Sequence, residues 1–223
     1  MTNFQIKLLA MLFMVLDHVG YILFPEIEWF RIVGRLSFPL FAFLLTLGYE
    51  YTKDFKKYIT KILIFAIIIQ IPFYLVTKIT MLNIFFTLFL GLVILYIEDK
   101  EKNTRGKLLI VFLFILGQLI NVDYGAYGLI QIYLLRKFRN NKKLLFLSYL
   151  VINVVAYLYI WEIQMYTMLT LPIIWAYNGK VGYKSKFTKE FFYYFYPSHI
   201  AIIFLIQQKN QHKYNYCLLL FLF

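Results

Sequence analysis

Cysteine, histidine and charge are all scarce in this sequence, and each shortage excludes a class of protein. The 223 residues include one cysteine, Cys217, so the chain cannot form an internal disulfide framework. The three histidines are scattered and have no metal-ligand spacing, so no metal is expected. Only 15% of the residues are charged, whereas a soluble domain of this length carries about a quarter. The composition is therefore not that of a soluble protein.

Apolar runs long enough to cross a bilayer recur along the whole chain, and 62% of the residues are hydrophobic. Backbone groups in lipid must be satisfied within their own segment, so each span is predicted to be a helix. Residues 1–223 are read as one all-α, polytopic membrane domain with about nine transmembrane helices. The predicted spans are roughly 4–24, 30–51, 58–77, 80–97, 107–122, 124–137, 143–160, 163–177 and 191–208. The sixth and eighth are short and are expected to be tilted, partial or re-entrant.

The two ends of the chain carry separate expectations. The first apolar run lacks a basic region and a small-residue cleavage site, and it contains Asp17 and His18, so it is not predicted to be a cleavable signal. The tail 209–223 is too short to span and is expected at the membrane interface.

Basic residues alternate between the connecting loops. The loops 51–58, 98–107, 136–143 and 178–190, together with Lys61, hold 17 of the 23 lysines and arginines. The intervening loops hold only Lys78. By the positive-inside rule the basic loops and the N-terminus are cytoplasmic, which predicts a multi-pass protein of the plasma (inner) membrane. The basic cytoplasmic loops then account for the formal charge of +12. No nucleic-acid partner is expected, because the chain has no soluble basic face that could bind one.

Few polar side chains lie at membrane depth, where an ionisable group is costly and usually has a partner or a function. All of them except His199 fall in the outer half of the bilayer under this orientation. They are Asp17, His18, Arg35, Asn83, Gln118, Asp123 and His199.

Asp17 and Arg35 lie on consecutive antiparallel spans at similar distances from the short loop between them. They are expected to face each other and neutralise their charges. One interpretation is a buried ion pair that only fixes helix packing. The other is that the pair orients His18 or an acyl group. Both interpretations remain open.

His18 is the best candidate for a general base, since its ordinary pKa suits proton transfer at neutral pH. Adjacent residues on a helix diverge by about 100°, so Asp17 cannot pair with His18 on one helix face. A carboxylate that orients His18 must come from another helix, and Asp123 is the best placed. A helix-packing histidine bonded to a backbone carbonyl is the alternative.

Lys7 precedes His18 by eleven residues, which is about three helical turns. Both side chains therefore share one helix face, about 16 Å apart along the axis. This geometry would let Lys7 hold an anion at the inner mouth while His18 acts deeper. A snorkelling lysine that marks the inner boundary of the span is the alternative.

Two further segments combine proline with polar or aromatic residues. Pro39 should kink the second span near Gly34 and free a carbonyl near residue 35. The segment FFYYFYPSHI (191–200) carries aromatics up to Tyr196, then a proline and His199. An interfacial belt explains the aromatics of 191–195.

Five segments together resemble one family, the TraX family, which is named for the F-pilin N-terminal acetylase. They are LDHVGYILFP (16–25), FRIVGRLSFPLFAFLLTLGYEYT (30–52), TMLNIFFTL (80–88), VDYGAYGLI (122–130) and FFYYFYPSHI (191–200). The resemblance covers about residues 5 to 205. The Lys7-x10-His18 pattern is similar to the basic-x10-His signature of the larger membrane acyltransferase superfamily.

The resemblance implies an acetyltransferase that takes acetyl-CoA from the cytoplasm and acetylates an amine presented across the membrane. It implies a transfer role for His18 and donor binding for Lys7. With Asp17, Arg35 and Asp123, His18 forms the expected catalytic set. Arg35 and Asn83 are the expected donors to an oxyanion. The expected substrate-binding residues are Lys7, Asn83, Tyr124, Tyr196 and His199.

A different class of function fits the same polar residues. A small transporter, or a non-catalytic membrane partner, would use the intramembrane aspartate, arginine and histidine cluster as a relay. No internal repeat is evident, which weighs against common transporter designs. The expected partners of the enzyme are acetyl-CoA, membrane lipids and an exported peptide such as pilin or a surface glycan, acetylated on nitrogen or oxygen.

Overall fold

A computed structural model describes residues 1–77, 80–159, 162–185, 191 and 194–209; the side chains of 72 and 75–77 are left aside. The predicted tail beyond residue 209 and the predicted loop residues 186–190 lie outside the described residues. The α-helices are α1 (Asn3–Ile22), α2 (Glu28–Gly34), α3 (Ser37–Tyr51), α4 (Phe55–Thr77), α5 (Ile84–Lys100), α6 (Thr104–Leu119), α7 (Gly125–Lys137), α8 (Lys142–Tyr159), α9 (Thr170–Trp175) and α10 (194–209), with a 3₁₀ helix at Glu162–Leu169 before α9. The all-α prediction is confirmed for this part of the chain.

Three helical stretches of the described chain are long and apolar enough to cross a membrane: Asn3–Ile22, Glu28–Tyr51 and Lys142–Tyr159. Large apolar side chains also cover the outside of the bundle, where a soluble protein would place polar ones. They include Ile67 and Ile71 on α4, Phe112 and Ile115 on α6, and Val151 and Val155 on α8. These are the features of a helical membrane protein, whereas nine spans remain a prediction.

The second predicted span is interrupted rather than continuous. Helix α2 ends at Gly34 and α3 begins at Ser37. Pro39 has no N–H, so the carbonyl of Arg35, four residues earlier, loses its helical partner. The break expected near residue 35 is confirmed, and it lies beside the polar residues of the candidate site.

The eighth predicted span is a 3₁₀ helix of eight residues followed by the six residues of α9. A 3₁₀ helix rises about 2 Å per residue, so the two pieces together cover about 25 Å, close to the thickness of a bilayer core at about 30 Å. Thr167 on the 3₁₀ helix donates a hydrogen bond to Asn153 at 2.7 Å, and both side chains are fully buried.

Connecting segments that were predicted to lie on one side of the membrane do contact each other. The Leu82 amide donates to the Asn121 carbonyl at 3.0 Å, and the Asp123 amide donates to the Leu82 carbonyl at 2.9 Å. The outer end of the predicted fourth span is thereby joined to the predicted outer loop 121–123 by a short backbone ladder.

Segments predicted to be cytoplasmic are joined in the same way. Arg139 contacts Glu50 at 2.5 Å, which ties the loop after α7 to the end of α3. The Asn3 amide donates to the Lys180 carbonyl at 2.9 Å, so the start of α1 meets the segment after α9. The contacts agree with the predicted grouping of these segments, and the side of the membrane on which they lie stays a prediction.

The core surrounds α3, which is the most deeply buried helix. Leu40, Phe43 and Leu47 lie on it with almost no exposed surface. Helices α1, α5 and α7 pack around α3. This arrangement brings the polar residues of α1, of the α2–α3 break and of the segment before α7 together at one end of α3.

Candidate functional site

Asp17 on α1 is held by two arginines. Nη2 of Arg35 donates to both carboxylate oxygens of Asp17 at 2.7 Å. Arg31, one helical turn before Arg35, approaches Oδ1 of Asp17 at 3.0 Å and donates to its backbone carbonyl at 3.3 Å. The predicted contact between Asp17 and Arg35 is confirmed, with Arg31 as an additional partner.

Gly34 makes this close approach possible. A Cβ atom at residue 34 would lie 2.4 Å from both Cβ and Oδ1 of Asp17. Real side chains do not approach this closely, so only glycine lets the Asp17 carboxylate reach the α2–α3 break.

The segment before α7 places two more side chains at this site. Tyr124 has a positive φ of 61°, and the following Gly125 has a φ of 51°. The Tyr124 ring stacks on Phe38 with centroids 4.2 Å apart, and the guanidinium of Arg35 lies 5.7 Å from its centroid. A left-handed conformation is costly for tyrosine, so these contacts and the ladder at Asp123 fix the turn.

Asp123 lies in this connecting segment, between α6 and α7. Desolvation raises the pKa of its carboxyl to about 6, and the nearby Arg35 charge acts in the opposite direction. The carboxylate of Asp17 also raises this pKa, and Arg31 lowers it. Among the described residues, no lysine or arginine forms an ion pair with Asp123 within 4.0 Å.

Two histidines from opposite ends of the chain meet beside Asp17. Nδ1 of His18 on α1 lies 2.9 Å from Nε2 of His199 on α10. Nδ1 of His199 lies 2.8 Å from the carbonyl oxygen of Phe195, one turn earlier. His199 also stacks on the Phe195 ring, with centroids 5.1 Å apart.

This chain of hydrogen bonds assigns the protons when both rings are neutral. A carbonyl oxygen only accepts, so Nδ1 of His199 carries the hydrogen and Nε2 of that ring is the acceptor. His18 must then donate from Nδ1, which leaves its own Nε2 without a hydrogen and with a basic lone pair. No described residue hydrogen-bonds to this Nε2.

A cavity of about 1140 Å³ connects His18, but not its partner His199, with the opposite end of α1. Its "His18 end" is lined by His18, Asp17, Asp123, Tyr124 and Tyr196. Its "Lys7 end" is lined by Lys7, Tyr51, Tyr177, Tyr183 and Lys184. The prediction that Lys7 and His18 share a face is confirmed, because both side chains line the same cavity.

His199, rather than Asp123, is the partner that orients His18. The expectation that a carboxylate orients His18 is corrected by the contact of 2.9 Å between the two imidazoles. His199 was also expected nearer the middle of the membrane, whereas α10 places it level with His18. The two residues are 181 positions apart, so their contact depends on how α10 packs against α1.

The expected role of Asn83 in stabilising an oxyanion does not fit its contacts. Its amide nitrogen donates to the Ala66 carbonyl and to Oε1 of Gln70, both at 2.8 Å. Its amide oxygen accepts from the Phe85 amide at 3.0 Å and so caps α5. Both hydrogens are committed, and the fully buried side chain holds α4 and α5 together.

Arg35 also differs from the expected oxyanion donor, because it lies behind Asp17 and does not line the cavity. The hydroxyl-bearing residues at the His18 end are instead Tyr124 and Tyr196. The Tyr196 ring meets the His18 ring edge-on, with centroids 6.5 Å apart. Both tyrosines were predicted to bind substrate, and their position at the cavity is consistent with that role.

Sequence reasoning missed Arg31 and Lys184. Arg31 and Arg35 are four residues apart, the spacing that puts two side chains on one helix face, and this signal was available. Lys184 lies in a segment without regular secondary structure, so helical periodicity could not predict that it lines the cavity.

Comparisons with known proteins cover nearly the whole chain. The probable fimbrial assembly protein FimC, serogroup H1, of Dichelobacter nodosus is 29% identical over 232 residues, covering 90% of this chain and 93% of that protein. An uncharacterized protein of Rickettsia prowazekii (strain Madrid E) is 36% identical over 98 residues, covering 43% of this chain and 38% of that protein. No solved structure matches the chain. The family described as TraX protein matches residues 3–207, so this chain belongs to the TraX family.

Proposed function

We propose that this protein is a membrane-embedded acetyltransferase of the plasma membrane. It moves an acetyl group from cytoplasmic acetyl-CoA to an amine or hydroxyl on the outer side. The observation that carries the proposal is the His199–His18 pair, which leaves a basic lone pair on His18 in a cavity that reaches from one end of α1 toward the other.

The Lys7 end of the cavity has the chemistry that a coenzyme A nucleotide requires. Lys7 and Lys184 supply positive charge for phosphates, and a lysine meets a phosphate as a point charge. Tyr51 and Tyr183 are each about two-thirds exposed and offer ring faces to a nucleobase. The thioester arm would then extend along α1, over the distance of about 16 Å that separates Lys7 from His18.

His18 acts as the general base. Its Nε2 takes the proton from the acceptor nitrogen or oxygen as that atom forms a bond to the acetyl carbonyl carbon. The hydroxyls of Tyr196 and Tyr124, which line the same end of the cavity, would donate hydrogen bonds to the resulting oxyanion. The carbon–sulfur bond then breaks with its electron pair going to sulfur, and His18 returns the proton to the thiolate.

His199 and the Asp17 cluster support this step without touching the reacting atoms. His199 fixes the tautomer of His18 through the bond at Nδ1 and stabilises the imidazolium that forms. Arg31 and Arg35 neutralise Asp17, the residue next to His18, so that α1 is held at the α2–α3 break.

The similarity to the probable fimbrial assembly protein of Dichelobacter nodosus supports an exported peptide as the acceptor. An exported peptide such as a pilin subunit is therefore the proposed acceptor. A transporter is the rival class, and it would move a solute through the same cavity without breaking a thioester.

Purified protein in detergent separates the two classes. The enzyme is expected to be stabilised against heat by acetyl-CoA and to release coenzyme A faster when a peptide with a free α-amine is added. A protein that neither binds acetyl-CoA nor releases coenzyme A would contradict the proposal and favour the transporter.

A further inference from the structure

A protonated amine acceptor must lose two protons during acetylation, and a single base removes only one. An α-amino group has a pKa of about 7.7–8.0 and is mostly an ammonium ion at neutral pH. Acetylation converts a nitrogen with three hydrogens into one with a single hydrogen, so two protons must leave. His18 accounts for only one of them, the proton that it passes to the thiolate. A hydroxyl acceptor loses one proton and needs no second base.

We propose that Asp123 is the second base of the site, the residue that binds an ammonium acceptor and takes its first proton before His18 takes the second. This inference rests on the proposed acetyltransferase function. It gives Asp123 a role toward the acceptor, whereas the sequence suggested a role toward His18.

The position of Asp123 supports this role. Its side chain lines the His18 end of the cavity with His18 and Tyr196. It interacts electrostatically with Tyr196, whose ring meets the His18 ring edge-on with centroids 6.5 Å apart. An acceptor nitrogen at this end would have both bases around it.

The charge distribution separates Asp123 from Asp17. Asp17 is in contact with two arginines, at 2.7 and 3.0 Å, and its oxygens are committed to them. Asp123 has no such contact among the described residues and interacts with Arg35 only from a distance. The four charges of Arg31, Arg35, Asp17 and Asp123 sum to zero, and both carboxylates line the cavity, but only that of Asp17 is in contact with the arginines.

The backbone holds this carboxylate in place, as a catalytic base requires. The amide of Asp123 donates to Leu82 at 2.9 Å, and its carbonyl accepts from Thr87 at 2.5 Å. The raised pKa of Asp123 favours proton uptake from an ammonium ion, compared with an ordinary aspartate. Asp123 is partly exposed on the lining of the cavity, and in the proposed cycle it releases its proton to solution after the acceptor nitrogen has been acetylated.

The test compares two acceptors in one preparation of the full-length Asp123→Asn protein. The probes are a short peptide with a free α-amine and an aromatic amine that is already neutral at pH 7. Without the second base only the neutral fraction of the peptide reacts, which is about a tenth at pH 7 for an amine pKa near 8. Peptide acetylation is therefore expected to fall about tenfold at pH 7 and to recover as the pH rises past 9. Because the aromatic amine carries no proton to remove first, its loss at pH 7 is expected to be much smaller than the loss with the peptide.

The ratio of the two rates does not depend on how much of the variant folds, so a poorly folding variant still gives an answer. Glu26→Gln removes an exposed carboxylate from the α1–α2 loop and is expected to keep the wild-type ratio. An equal loss with both amines at pH 7, a peptide loss that persists at high pH, or no peptide loss at pH 7 would overturn the role of Asp123. Wild-type transfer by His18→Asn would instead remove the proposed function itself.

Discussion

Replacing His199 with phenylalanine should slow acetyl transfer while leaving donor binding intact. Phenylalanine keeps an aromatic ring against Phe195, whose ring stacks on His199 at 5.1 Å, but it cannot accept a hydrogen bond from His18. His18 then loses the partner that holds its hydrogen on Nδ1. Removing one partner of a buried hydrogen bond costs about 1–3 kcal/mol. If that cost falls on the transition state, kcat falls about 5- to 150-fold.

The assay is the rate of coenzyme A release with a peptide acceptor, measured at saturating acetyl-CoA, together with the Kd for acetyl-CoA. His199→Gln is the informative second variant, because its amide oxygen can accept from His18 and should restore part of the rate. Ser198→Ala is the matched control on the same helix, since Ser198 is exposed and donates only to the Tyr194 carbonyl.

Two results would refute this reasoning. An unchanged kcat in His199→Phe would mean that the contact between the histidines is only packing. If His199→Gln is as slow as His199→Phe, then His199 does not act through its hydrogen bond to His18.

Three other changes test different parts of the structure. Gly34→Ala should destabilise the protein by about 1–3 kcal/mol, because its methyl group overlaps the Asp17 carboxylate; an unchanged thermal midpoint would contradict the close packing. Lys7→Ala should raise the Kd for acetyl-CoA about tenfold or more, since a charge-assisted contact contributes about 1.5–3 kcal/mol, with kcat at saturating donor little changed; an unaltered Kd would indicate a snorkelling lysine. With Cys217 replaced, a cysteine substituted for Asn140 should resist an impermeant thiol reagent in intact cells, and one substituted for Glu26 should react; the opposite pattern would reverse the topology.

The sequence predicts features of this site that depend on neighbouring helices. Asp17 and Arg35 are 18 residues apart on consecutive antiparallel segments, so equal distance from one loop is enough to predict their ion pair. Pro39 predicts the break at residue 35 because the missing N–H is a local property of the backbone. Lys7 and His18 share a face through helical periodicity alone.

Contacts between distant helices were beyond this reasoning. The pairing of His18 with His199 depends on the rotation and tilt of α10, which no local pattern encodes. The free-energy cost of an unpaired amide at membrane depth favours a functional role for Asn83 when only the sequence is considered. Gln70 and the Ala66 carbonyl, one turn apart on α4, satisfy the amide of Asn83 with structural hydrogen bonds.

The most direct test of the mechanism is acetyl transfer by His18→Asn, measured beside its affinity for acetyl-CoA. Asparagine keeps a hydrogen-bonding side chain next to His199 but cannot take up a proton. We expect transfer to fall by about 10²–10⁴-fold, the usual contribution of a general base, with the Kd for acetyl-CoA close to that of the wild type. Full transfer by His18→Asn would contradict the role of His18 as the base.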